Sequence, residues 1–134
     1  MKNKILIIAG LVFLSLFILT QCNKDDDNDN SVIKDFLGSY DADMTVTSIS
    51  GTNSEQYILF IEEPTNNTED EISIRNIADD GNTHSAKVVG KDFVINKNPD
   101  YLTGTGTLQS DNQTIQFEYT IENQESGTGT LTKR

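Results

Sequence analysis

From residue 32 onward the chain alternates apolar and polar positions with a period of two, in short runs divided by turn-forming residues. Ile115, Phe117, Tyr119 and Ile121 alternate with Gln116, Glu118 and Thr120, the pattern of a strand with one buried and one wet face. Tyr40, Ala42, Met44 and Val46 alternate with Asp41, Asp43, Thr45 and Thr47 in the same way. Tyr57 to Ile61 is an unbroken apolar run, which predicts a strand covered on both sides. Ile72 and Ile74 give another alternation, out of phase with Ile77, and a bulge is expected between them. Ala86-Lys87-Val88-Val89 and Asp92-Phe93-Val94-Ile95 flank Gly90-Lys91, a spacing that suits a tight primed hairpin turn.

Asn98-Pro99-Asp100 should end the fifth strand, because proline has no amide to donate to a ladder. The sixth runs from Tyr101 to Leu108. Ser110-Asp111-Asn112 turns into the seventh, and Gln124-Glu125-Ser126 into the eighth, from Gly127 to Lys133. The sixth and eighth carry nearly the same string, Gly104-Thr105-Gly106-Thr107-Leu108 and Gly127-Thr128-Gly129-Thr130-Leu131. Glycine at alternate positions strips side chains from one face, so a sharp bend or a close approach is expected there. Neither string leads into a helix, which excludes a phosphate-binding loop. The one helical spacing is Val32, Ile33, Phe36 and Leu37, placed to plug an end of a barrel. The predicted fold of residues 32–134 is all-β, an antiparallel meander of about eight strands forming a small barrel or half-barrel.

The N-terminus follows another rule. After basic Met1-Lys2-Asn3-Lys4, Ile5 to Leu19 is apolar apart from Gly10 and Ser15. As a helix it would span about 22 Å, short of a hydrocarbon core of about 30 Å. That is the layout of a secretory signal over residues 1–21. Leu19-Thr20-Gln21-Cys22 then resembles a lipobox, in which the cysteine is lipidated, with Gln21 where that pattern prefers a small residue. Cys22 is the single cysteine, so no intrachain disulfide can form. Residues 22–31 hold no apolar side chain after the cysteine and should behave as an acidic, extended linker reaching about 30 Å. Within them Lys24-Asp25-Asp26 resembles the surface-export signal of lipoproteins from Bacteroidota. The resemblance implies a lipid anchor in the outer membrane and display at the cell surface.

Removing residues 1–21 takes two lysines and no acid from 10 basic and 21 acidic residues, so the formal charge moves from −11 to about −13. Such a surface repels nucleic acid. A metal site is not expected: zinc needs about three His or Cys ligands, the chain has one histidine, His84, and the Asp-Asn run lacks the glycine and glutamate of a calcium loop. No cofactor motif occurs. His84 falls in an apparent loop with Asp79 and Asp80, without a nucleophile elbow, and Glu62-Glu63 and Asp79-Asp80 suit solvated strand ends. The domain is therefore read as noncatalytic.

Phe36-Leu37-Gly38-Ser39-Tyr40 resembles the Gly-x-Trp entry to the first strand of lipocalin-like barrels, with tyrosine in place of tryptophan. Lys133 and Arg134 stand where such barrels carry a basic residue across that ring. The resemblance covers 36–134 and implies a barrel closed by Gly38, Tyr40, Lys133 and Arg134. The expected function is a surface module binding a protein or glycan through loops or a sheet face. The alternative is a carrier of a small apolar ligand, for which few apolar residues are left to line a cavity of about 300 Å³.

Overall fold

A computed structural model describes residues 30–66, 68–96 and 101–134. Among the described residues, eight antiparallel strands follow an α-helix and close into a barrel in simple sequence order. The helix α1 is Asn30–Phe36, and the strands are β1 Gly38–Ser48, β2 Gly51–Glu62, β3 Glu71–Arg75, β4 Thr83–Val89, β5 Asp92–Ile95, β6 Leu102–Leu108, β7 Thr114–Ile121 and β8 Glu125–Lys133. The expected all-β meander is present, and it is a full barrel: β1 pairs with both β2 and β8.

Alternation sets the walls. In β1, β4, β5, β6 and β7 every second residue points inward and is buried. Ring stacking links the interior, with Phe93 5.8 Å from both Phe36 and Phe117, and Phe117 6.0 Å from Tyr119. Register explains how so many rings fit. Around one level of the barrel run Met44, Gly129, Phe117, Gly106 and Phe93, on adjacent strands. A Cβ on Gly106 would enter the Phe93 ring, and one on Gly129 would meet the backbone and sulfur of Met44. Large and absent side chains alternate, so the twin glycine strings make room for neighbouring side chains.

The helix closes one end as expected. Ile33 and Phe36 are buried, and the Tyr40 hydroxyl donates a 2.6 Å hydrogen bond to the Phe36 carbonyl. The opposite end is the mouth, formed by the β1–β2 turn, the connection from Asn76 to Asn82 and the β7–β8 turn.

Three local expectations need correction. The Tyr57–Ile61 strand is not covered on both sides: Tyr57, Leu59 and Ile61 are buried, while Ile58 and Phe60 are half-buried on the outer wall. Phe60 is shielded there by the Arg75 guanidinium, 4.1 Å from its ring centre, which satisfies an apolar residue without a second layer. The break before Ile77 is no bulge. β3 stops at Arg75, Asn76 turns left-handed with φ 70°, and a 3-10 turn drops Ile77 into the core. The last turn is Glu122 to Gln124, with Asn123 at φ 63°, so Glu125 and Ser126 already belong to β8. The Gly90-Lys91 hairpin holds, with Val89 opposite Asp92 and Gly90 at φ 61°. Asn98-Pro99-Asp100 lies outside the described residues.

Candidate functional site

The sequence-selected closure residues meet at the α1 end. Tyr40 pairs with Lys133 across β1 and β8, and the Lys133 ammonium lies 6.0 Å from the Tyr40 ring centre and 3.2 Å from the Asp35 carbonyl, to which it donates. Lys133 also passes beside Gly38, where a Cβ would come within 2.9 Å of its Cε. Arg134 bonds outward, its amide to the Ser39 carbonyl at 3.0 Å and its guanidinium to Asp41 at 3.1 Å. Burial, and secondarily the charge of Asp35, push the Tyr40 phenol up to about 12. Gly38, Tyr40 and Lys133 thus form one closure, and Arg134 is tied to its rim. Cys22, Lys24, Asp25 and Asp26 lie outside the described residues.

The mouth holds groups that alternation alone did not single out. His84 is not in a loop: it sits on β4, faces inward and is 1 % exposed. One ring nitrogen, Nε2, lies 3.2 Å from an Asp80 carboxylate oxygen, and Nδ1 has no partner among the described residues. The phase of β4 could have shown this, since His84, Ala86 and Val88 are spaced by two. Asp80 therefore does more than end a strand. Its other contacts, to Asn82, tighten the same connection. Tyr57 accepts a 3.2 Å hydrogen bond from the Ala78 amide, and Tyr119 donates one of 3.0 Å to Glu125. Burial first, then nearby carboxylates, raise Tyr57 to about 12; burial, the Glu125 hydrogen bond and nearby charge push Tyr119 further up. Among the described residues no group of three His, Cys, Asp or Glu side chains is placed to hold a metal ion.

A groove of about 500 Å³ lies on the outer wall across β5, β6, β7, β8 and β1. Its floor runs over Gly104, Tyr119 and Gly127, where β8 closes onto the tyrosine ring and β6 onto the Glu118 carbonyl. A Cβ on Gly127 would overlap that ring. Outward side chains make two rungs across it. One is Thr103, Thr120, Ser126 and Thr47, and the other is Thr105, Glu118, Thr128 and Thr45. Thr105 donates to Glu118 at 3.0 Å, fixing that carboxylate within the second rung. Val94 supplies an apolar edge, 41 % exposed. The groove therefore offers many hydroxyls, one oriented carboxylate and a small apolar patch. These groups can both donate and accept hydrogen bonds.

No family model matches the chain, and no curated protein does. Among solved structures it is similar to a redesigned beta barrel, at 19 % identity and a TM-score of 0.43, over 77 % of this chain and 95 % of that one.

Proposed function

We propose that this protein is a bacterial lipoprotein, held in the outer membrane by lipid on Cys22 and displayed at the cell surface. Its barrel is a noncatalytic binding module, and its ligand is a segment of glycan lying in the groove across β5 to β8 and β1. The observation that carries the binding assignment is where the free volume lies. The inner face is taken up by Phe36, Tyr40, Met44, Phe93, Phe117 and Tyr119, while the outer wall has a hydroxyl-lined groove of about 500 Å³. A carrier of apolar ligands would need that volume inside the barrel, among apolar side chains. The Lys24-Asp25-Asp26 run and the closure of Gly38, Tyr40 and Lys133 support the resemblance to small lipocalin-like surface lipoproteins.

An oligosaccharide array is the direct test. The wild-type chain should retain a restricted set of glycans, and Thr128→Tyr, which fills the groove from an exposed position, should retain none while its melting temperature stays the same. Retention by Thr128→Tyr equal to wild type would move the ligand off this wall. An array with no binder would remove the glycan assignment.

A further inference from the structure

We infer that the free edge of β2 accepts an extended, basic segment of a partner protein as an added strand. The barrel is closed by a short seam on this side. β2 is paired with β1 over its whole length, from Gly51 to Ile61, but with β3 only at Phe60, Ile61 and Glu62. Next to the seam the Asn76 side chain donates a 2.8 Å hydrogen bond to the Ile58 carbonyl, on the edge away from β1. Main-chain groups alternate sides along a strand, so the amides and carbonyls of Gln56, Ser54 and Thr52 face that same edge. Among the described residues nothing pairs with them. The segment spans about 20 Å at roughly 3.4 Å per residue, the length of an ordinary strand. It also lacks the usual protection: no proline, lysine or covering helix stands on residues 51–56, and Thr52, Ser54 and Gln56 are exposed.

Charge selects the occupant. Glu55 lies on the segment, Asp79 and Asp80 on the connection beside it, Glu122 on the neighbouring β7–β8 turn and Glu125 at the start of β8. Arg75, at the β2–β3 seam, is taken up by Glu62 and the Phe60 ring, and the described lysines, with Arg134, lie at the other end, on α1, around the β4–β5 turn and at the end of β8. A second copy would bring its own acidic mouth against this one. A lysine-bearing strand gains main-chain hydrogen bonds and favourable charge together. This edge adjoins the glycan groove at Thr52, whose hydroxyl lies 3.1 Å from that of Thr47, but it uses main-chain groups facing away from β1, and failure of either leaves the other standing.

The test uses the full chain in nonionic detergent with a blocked peptide of four Lys-Thr repeats, and one of four Glu-Thr repeats as its opposite. The Lys-Thr peptide should bind and slow hydrogen–deuterium exchange at Thr52, Ser54 and Gln56, with the Glu-Thr peptide much weaker. Ser54→Pro removes an outward-facing amide without touching the β1 ladder, and should weaken binding by about tenfold or more. Exchange in the wild-type chain decides the matter should that variant fold poorly. Equal binding of both peptides, no protection at the three amides, or a folded Ser54→Pro that binds like wild type would overturn the proposal. Protection that appears on raising protein concentration without peptide would assign the edge to a second copy instead.

Discussion

Gly106, Gly127 and Gly129 are where single residues decide whether this barrel closes, because the first two give their space to a neighbouring ring and the third to the backbone of β1. Gly127→Ala places a methyl in the Tyr119 ring and should cost about 1–3 kcal/mol, the ordinary penalty for overpacking. Thr128→Ala, one position along on the wet face, should change stability by no more than about 0.5 kcal/mol. The neighbouring strand gives the complementary pair. Phe117→Ala should cost about 3–5 kcal/mol by opening a cavity, and Glu118→Ala about 0.5 kcal/mol. Urea unfolding of the four variants checks both pairs, and a Glu118 loss larger than the Phe117 loss would invert the strand. The buried phenols add a pH signature. Tyr40 and Tyr57 titrate near 12 when folded against 10 when exposed, so the unfolded chain releases these protons first. Their stabilisation is complete below pH 10 and is lost as pH rises towards 12. Phenolate absorbance from both should therefore rise together with unfolding. A folded barrel that ionises them at pH 10 would contradict their burial.

At the scale of elements, α1 and β1 are locked by one hydrogen bond, from the Tyr40 hydroxyl to the Phe36 carbonyl. Tyr40→Phe keeps the ring and leaves that carbonyl buried without its side-chain donor, a loss of about 1–3 kcal/mol. Urea midpoints of wild type and Tyr40→Phe measure it, and identical midpoints would mean that the helix is not a tight plug. The elements themselves were largely legible in the amino-acid order. Period-two alternation places the strands because each has one wall in the core, and Gly90-Lys91 sets its hairpin because glycine takes the left-handed position. What stayed hidden depends on partners distant in sequence. Phe60 falls on the outer wall by the phase of β2, and what covers it there, Arg75, comes from β3. His84 faces inward because β4 extends back to Thr83, which the turn-rich residues before it conceal. The twin glycine strings announced close approach, but the side chains that approach them, Phe93, Tyr119 and Met44, follow from register and not from spacing. The groove was illegible for the same reason: its rungs join four strands.

For the whole molecule, the point of entry of the chain picks out one end of the barrel. The segment that follows Cys22 joins the barrel at α1. Under the lipoprotein reading this end faces the membrane, and the acidic mouth with the free β2 edge is carried outward by a linker of about 30 Å at most. Anchoring and display are then separable steps with separate determinants. On that reading Cys22 would take the lipid, and Lys24 with Asp25 and Asp26 would direct the lipidated chain across the outer membrane. In cells fed a fatty-acid analogue, wild type should be labelled and should also be cut by protease added outside. Replacing Lys24, Asp25 and Asp26 by alanine should leave the label unchanged and protect the barrel from that protease. Cys22→Ser should lose the label altogether, and with it recovery in the membrane fraction. Equal labelling of Cys22→Ser and wild type would end the anchor assignment, because no other cysteine exists to take the lipid. A labelled wild type that resists protease in intact cells, yet is cut once the outer membrane is opened, would keep the anchor and turn the barrel towards the periplasm. Both proposed surfaces, the groove and the edge, would then have to find their ligands there.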